Sequence, residues 1–475
     1  MIRRMGGADA FFLALETPRA YMHTFKIAIL DPSEHPEAWS FDIYRERVRR
    51  RLHRIPPFRW RYVHSPLGLA YPLWAEDPDF NLDYHLRHVA CPAPGDQRAL
   101  CEFMSAAYAY QLDRSRPLWI TWVVEGLEDG KVALVTLVHH AYFDGAGASN
   151  AMMRFFNAEP NRDEDPEPPP WAPGKIPAWP MRLLTGACAL PLILAKGIPH
   201  AITGVRKIRR LSKEREASGR PPHPNISNMP WTPLNRSVSH GRTLVCDSIP
   251  LERMQRARAI LPGATINDVF ISCSAGALRS LLKEMQYAVD SGPLVGGIPV
   301  SKKRPPGMDI QGNFATADYT WLHTEIADPV ARMQATHRSC AETKEHIAAS
   351  DGADINSLVS LAPEWLTRLI SWWVRSREGR VGIFGNALLS NVPGPRQPLY
   401  LGPTRVSNWF STGQVFDGTS LNLTMWSYCG KANLCIFADK SVLPDGWKLF
   451  DYFTRELDTL IELAETQGGA ADEAG

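Results

Sequence analysis

Several common signatures are missing from this 475-residue chain, and each absence excludes something. Its eight cysteines (Cys91, Cys101, Cys188, Cys246, Cys273, Cys340, Cys429 and Cys435) are scattered, with no C-x-x-C pair and no metal-ligand spacing. Buried free thiols in a reducing cytosol are expected, and no metal. Charge of one sign is also lacking: 52 Lys and Arg face 50 Asp and Glu, a formal net charge of +2. No global basic field therefore points to nucleic acid, and any basic surface is local. No window reaches the roughly 18 to 20 uninterrupted apolar residues that cross a bilayer, so the chain is expected not to span one; surface attachment stays open. The opening residues Met1 to Asp9 carry positive charge, but the apolar run behind them is broken by Glu16 and Pro18. A signal peptide is not expected, and a cytoplasmic location is. No repeat of fixed period is present.

The length fits two or three domains rather than one core. Phe25 to Leu30, closed by Asp31-Pro32, reads as a strand, and the Arg-rich stretch from Tyr44 to Arg54 as an amphipathic helix. Trp119 to Glu125 and Lys131 to Val138 read as two strands joined by Gly126-Leu127-Glu128-Asp129-Gly130, where Asp-Gly supplies the positive φ angles of a tight hairpin. The second strand is apolar on both faces, which suits a sheet interior, and its end delivers His139-His140. A helix follows from Ala148 to Phe156. From Glu159 to Pro180, Pro, Asp and Glu dominate and no hydrophobic period survives, so a linker is expected there.

From Met181 to about Arg220 an apolar stretch containing Pro191 and Pro199 leads into Arg206-Lys207, Arg209-Arg210, Lys213 and Arg215. Apolar residues beside dense cations suit a helix lying on an anionic membrane surface; an ordinary packed helix with a solvated face is the other reading. The second half starts near Arg242 and holds a helix from Thr265 to Met285 with a capping-box start, Thr265 to Asp268. Strands are read at Gly296 to Val300, Tyr319 to His323, Ala387 to Val392, Asn422 to Trp426 and Ala432 to Phe437. A final helix runs from about Trp447 to Ala464, before a small acidic tail from Gln467 to Gly475 that reads as disordered. The organisation is thus 1–158, a connector 159–241, a second unit 242–466 and a tail 467–475. Its fold class is α/β with mixed sheets.

The chemistry concentrates in His139-His140-Ala141-Tyr142-Phe143-Asp144-Gly145. Adjacent residues at a strand end point to opposite faces, so only one of the two histidines enters a given cleft, and they do not chelate one metal together. Asp144, across a turn, is placed to accept hydrogen bonds that shape that turn or to pair with an Arg. Gly145 and Gly147 permit close backbone approach. A neutral His at such a place is suited to general-base catalysis, a contribution of about 10² to 10⁴-fold. No G-x-S-x-G elbow is present, since Gly147-Ala148-Ser149-Asn150-Ala151 lacks its second Gly.

With Asp9-Ala10-Phe11-Phe12, Pro18, Met22-His23, Leu112 to Trp119, His139 to Gly145, Thr265 to Val269, Pro299-Val300-Ser301, Gly312-Asn313, Ser390 to Pro395 and Leu421 to Thr424 in this order, the chain resembles the bacterial wax ester synthase/diacylglycerol acyltransferase family. That family lies within the chloramphenicol-acetyltransferase-like group, which shares the His-x-x-x-Asp-Gly turn. The resemblance implies two such subdomains with the active site at their interface, His140 as base in direct transfer, and Asp144 as a scaffold. It implies that Pro117-Leu118-Trp119 shape the entrance of an acyl pocket and that Asn267-Asp268 flank the channel. Plain residue readings remain beside these: helix capping for Asp268, and a Pro-initiated strand with a core Trp for Pro117-Leu118-Trp119. Ser390, Asn391 or Thr424 is placed to supply an oxyanion donor.

The implied activity moves a long acyl chain from acyl-CoA, a co-substrate with no further cofactor, to diacylglycerol or a long-chain alcohol, at the cell membrane's inner face or on lipid bodies. Two alternatives stand beside it. One is a carrier-protein-dependent condensation or polyketide-associated acyltransferase; the other is a catalytically silent lipid-binding relative whose site is partly blocked by Tyr142-Phe143. Between His140 and Asp144 the chain is bulkier than the family pattern, which bears on the acceptor and not on the base.

Overall fold

Two β-branched and aromatic runs, Trp119–Glu125 and Val132–His139, pair antiparallel as their composition favours. Asp129 and Gly130 turn the hairpin with φ of +58° and +66°. Residues 2–160, 165–350, 363–377 and 382–472 are described by the structure, a computed structural model. Around this hairpin a six-stranded sheet assembles in the order Tyr400–Leu401, Thr404–Ser411, His23–Asp31, Val132–His139, Trp119–Glu125, Leu86–Ala90. Its histidine strand is buried on both faces, as its unbroken apolar run requires.

A second six-stranded sheet has the order Ala315–Leu322, Leu294–Ser301, Ala387–Val392, Leu421–Tyr428, Lys431–Asp439, Arg242–Pro250. Parallel pairs flank Ala387–Val392, and the other neighbours are antiparallel. The helix Ile266–Glu284 packs on this sheet and starts with the expected capping box between Thr265 and Asp268. A smaller three-stranded sheet joins Ile2–Arg4, Leu73–Glu76 and Trp60–Val63. The mixed α/β class read from the sequence is what the strands form.

Division of the chain near 242 is not clean in space. Thr404–Ser411, from the second half, pairs antiparallel with His23–Asp31 of the first, Trp409 opposite Ala28 and Phe410 opposite Ile27. Its buried Val406, Trp409 and Phe410 complete an apolar strand edge that the first half leaves open.

The described part of the acidic stretch has neither helix nor strand up to Ala178, yet it is anchored. Asp165 is buried and accepts from Arg51 Nε at 2.6 Å and Arg54 Nη2 at 3.2 Å. Trp179–Ala217 then forms one helix of 39 residues that runs on through Pro191 and Pro199. By length and composition it suffices to cross a bilayer, which corrects the expectation that no segment would; its apolar stretch is hardly buried. The last helix, Gly446–Asp472, extends into the part read as a disordered tail, because adding a turn to an existing helix is far easier than nucleating one. All eight cysteines are free; six are buried as expected, but Cys188, on the exposed connector helix, is exposed and Cys429 is half-buried.

Candidate active site

The histidine strand ends at His139, and the backbone turns immediately. His139 faces the core. Its Nδ1 accepts from Ala141 N–H at 3.0 Å, its ring meets His23 edge-on at 5.6 Å, and its Nε2 lies 3.5 Å from Glu16 Oε2. Burial of Glu16 would raise its pKa, but His139 and Arg114 outweigh that and hold it down to about 2. His139 itself is pushed below the usual histidine value by burial.

His140 faces the other way, into a cavity of about 370 Å³ at the seam between the two sheets. Its backbone is pinned at both ends: N–H donates to Met22 O at 2.9 Å, and its carbonyl accepts from Asn313 Nδ2 at 2.9 Å. The ring packs on Phe12 at 4.3 Å, and Nδ1 is buried without a partner. Burial, reinforced by the Lys26 charge, lowers its pKa to about 3, with Asp144 pulling weakly the other way. The imidazole is therefore neutral at physiological pH.

Asp144 shapes the turn. As N-cap of Gly145–Phe155 it accepts from Gly147 N–H at 2.9 Å, and the same Oδ1 pairs with Arg304, both side chains being buried. Oδ2 accepts from Phe314 N–H at 2.7 Å. Arg304 also donates to the carbonyls of Met308 and Gln311, at 3.0 and 3.1 Å. One carboxylate thus ties a loop of the second half onto the histidine turn. The helix begins three residues before the expected Ala148 because Asp144 caps it. A Cβ at Gly147 would lie 2.7 Å from Phe143 Cβ and 2.8 Å from Arg304 Nη2, and one at Gly145 would lie 3.2 Å from Val392, so both glycines are sites of close approach.

The cavity wall comes from both halves: Phe12, Lys26, His140, Asp144 and Gly145 from the first, and Asn313, Ser390, Asn391, Thr424 and Trp426 among others from the second. Of the three candidate donors, Thr424 spends its hydroxyl proton on Asn422 Oδ1 at 2.8 Å. Asn391 Nδ2 reaches Asn267 Oδ1 at 3.4 Å, a long contact, so Ser390 and Asn391 are the better placed. Asn267 touches the site through that contact. Asp268 does not line the cavity: its Oδ2 accepts from Thr265 N–H and His337 Nδ1, at 2.8 and 2.9 Å, in the capping role.

Pro117, Leu118 and Trp119 also stand off the His140 cavity. Leu118 is buried and its N–H donates to Tyr142 Oη at 2.7 Å; Trp119 stacks on Phe58 at 4.6 Å. Trp119 does line a separate apolar cavity of about 80 Å³, together with Phe143, Met152 and Phe156, and Lys26 belongs to both cavities. Tyr142 points into the core of the first half, stacking on Trp74 at 4.8 Å and donating to Trp60 O at 2.5 Å. Neither Tyr142 nor Phe143 obstructs the cavity around His140.

Two participants escaped sequence reasoning. Lys26 lies in the cavity wall, donates to Ser411 Oγ at 2.6 Å, and is lowered by burial to about 8. Its signal was a lone cation in the apolar run Phe25 to Leu30. Asp9 is buried, accepts from the backbone and side chain of Asn313, both at 2.8 Å, and is raised by burial to about 6. Through Asn313 it holds the carbonyl of His140.

Comparison with known proteins identifies the family. Residues 5–270 match the wax ester synthase/diacylglycerol acyltransferase catalytic domain, and residues 311–461 match the WS/DGAT C-terminal domain. A Mycobacterium tuberculosis protein provisionally named a diacylglycerol O-acyltransferase is 42% identical over 472 residues, covering 98% of each chain. The O-acyltransferase WSD of Acinetobacter baylyi is 30% identical over 465 residues, covering 96% of each. Among solved structures, the wax ester synthase/diacylglycerol acyltransferase of Marinobacter aquaeolei superposes with a TM-score of 0.68 at 24% identity over 97% of this chain and 100% of that one. The first condensation domain of the CDA synthetase gives 0.60 at 16% identity over 98% and 96%, a likeness of fold. With the two domain matches spanning most of its length, this chain belongs to the wax ester synthase/diacylglycerol acyltransferase family.

Proposed function

We propose that the seam cavity transfers a long-chain acyl group from acyl-CoA to diacylglycerol or a long-chain alcohol, with His140 as general base. The observation that carries this reading is a neutral, desolvated imidazole in the wall of a cavity built by both halves. His140 takes the proton from the acceptor hydroxyl while its oxygen attacks the thioester carbon. The C–S bond then breaks, and the imidazolium returns its proton to the leaving thiolate, so ester and free CoA leave and the base is restored. Ser390 and Asn391 face the developing oxyanion, and the cationic Lys26 adds charge of the helpful sign. Lys26 also opposes a positive His140, which favours handing the proton on. No acyl-enzyme is required: among the described residues no serine or cysteine is hydrogen-bonded to His140. The chemistry asks for no further cofactor.

The reading includes peripheral attachment to an anionic lipid surface, at the inner face of the cell membrane or on lipid bodies. Three features support it. The connector helix exposes Leu184, Leu192, Ile198 and Ile202 before its basic cluster. Its buried Gly186, beside Leu69, and its Arg215, paired with Glu342, strap it along the body rather than away from it. Nearby, Leu67 and the helix Glu364–Ser376, with exposed Trp365, Leu369, Trp372 and Trp373, extend the apolar face.

Purified enzyme given labelled acyl-CoA with diacylglycerol or hexadecanol tests the activity. Ester from the wild type and a loss of about 10² to 10⁴-fold in His140→Ala are expected. Robust ester from His140→Ala overturns the base assignment, and no ester with any acceptor favours the silent lipid-binding alternative.

A further inference from the structure

A larger cavity adjoins the seam. It holds about 870 Å³, inside the roughly 300 to 1,000 Å³ range of small-molecule sites, and abuts the His140 cavity of about 370 Å³ at Thr316 and Ala317, which line both. Two paired strands lead from one cavity to the other. On Leu294–Ser301, Pro299 and Ser301 line the seam cavity, and the next residues, Lys302 and Lys303, line the large one. On the partner strand Ala315–Leu322, Ala315 lies opposite Ser301 and Ala317 opposite Pro299, and Asp318 then lines the large cavity.

The join is polar, and a pair of cations lies just past it. Thr316 is only 3% exposed, and its hydroxyl has no hydrogen-bond partner among the described residues, so a guest passing the join meets an unmet polar group. Beyond it, Lys302 and Lys303 are exposed on the cavity wall. The nearest acid along the strands, Asp318, accepts from His223 Nε2 at 3.0 Å and from His346 Nδ1 at 2.9 Å, so two imidazoles screen its charge. Of the other charges on the wall, Arg215 and Arg220 are matched by Glu342 and Glu345, and Glu216 is an exposed residue of the connector helix. The lysines are also fixed relative to the base. Arg304, next in the chain, pairs with Asp144, and Lys302 N–H donates at 3.1 Å to the carbonyl of Phe314, whose own N–H donates to Asp144.

We propose that this cavity takes the diphosphate and sugar phosphate of the acyl-CoA donor. Lys302 and Lys303 bind phosphate as point charges, and the Thr316 hydroxyl bonds an amide of the pantetheine arm on its way to His140. The ligand is named on the strength of the transfer reading above. A lipid headgroup also offers phosphate, but it would draw acyl chains rather than amides past the unmet hydroxyl.

Full-length protein titrated with free CoA by calorimetry tests this, the wild type beside Lys302→Gln/Lys303→Gln, with binding to phosphatidylglycerol vesicles measured in parallel. CoA affinity should fall about 10- to 100-fold in the double variant, and wild-type binding should weaken more steeply with added salt. Lys302→Arg/Lys303→Arg should restore most of the affinity, and Thr316→Val should cost about 2- to 10-fold. The double variant's kcat/KM preference for acyl-CoA over the acyl-pantetheine thioester should narrow by the same factor as its CoA affinity. A wild type that does not bind CoA, an unchanged affinity in the double variant, or a loss confined to vesicles overturns the subsite. Ester formation with CoA affinity indifferent to the lysines strikes the subsite and leaves the transfer reading standing; lysine-dependent CoA binding in a protein that makes no ester does the reverse.

Discussion

Replacing Asp144 with Asn keeps the side chain's shape and removes its charge. All three of its partners are donors: Gly147 N–H, Arg304 and Phe314 N–H. Whichever way the amide is turned, its NH₂ confronts a donor, leaving one buried N–H unmet at about 1 to 3 kcal/mol. Arg304, only 8% exposed, loses its counter-charge, and breaking such a buried pair by removing one member costs about 3 to 5 kcal/mol. The two penalties overlap, so Asp144→Asn should lower unfolding stability by roughly 3 to 5 kcal/mol. Urea unfolding by circular dichroism measures this as a shift in midpoint at constant slope. Arg304→Met in the Asp144→Asn background should recover part of the loss, because no charge is then stranded. Activity should fall with the displaced loop, since Asn313, next to Phe314, holds the carbonyl of His140. A full loss of activity with stability changed by less than about 0.5 kcal/mol would refute the scaffold reading and point to Asp144 acting on His140 through its charge.

Further outcomes follow from the same geometry. Ser390→Ala or Asn391→Ala should each lower kcat about 10² to 10³-fold with KM little changed, whereas Thr424→Val should cost less because that hydroxyl donates to Asn422; steady-state kinetics decide. Glu16, depressed from 4.5 to about 2, contributes stability that is present above its unfolded value and lost as pH falls toward 2. Glu16→Gln should therefore lower stability at pH 7, where the Arg114 pair is lost, and flatten acid unfolding between about pH 4.5 and 2, checked by denaturant melts across that range. Changing the exposed Arg206, Arg209, Arg210 and Lys213 to Gln should weaken binding to anionic vesicles by roughly 4 kcal/mol, about 10³-fold, while binding to neutral vesicles hardly changes; sedimentation with lipid measures both.

What could be read from the sequence was what local physics decides. Strand runs, the Asp129-Gly130 turn, the Thr265 to Asp268 cap and the opposed faces of His139 and His140 depend on neighbours within a few residues. Asp144 could be expected to cap or to pair, but nothing identified Arg304, 160 positions away. Asp165 illustrates the same limit: composition made it part of a linker, and only the folded chain brings Arg51 to it. Lys26 and Asp9 act in the site through tertiary neighbours, so a strand pattern or a helix start hid them. Asp268 went the other way, since its local capping role accounts for what it does.

The strand Thr404–Ser411 also governs what the enzyme is able to do mechanically. Because the second half threads a strand into the first half's sheet, beside His23–Asp31, the two units are laced rather than merely docked. Swinging them apart to admit two long chains would strip a row of backbone hydrogen bonds and bare Val406, Trp409 and Phe410 to water. Access to the seam cavity therefore does not come from swinging the two halves apart. For the same reason a chain cut before residue 400 inherits an open, sticky sheet edge, so neither half is a natural unit to express alone.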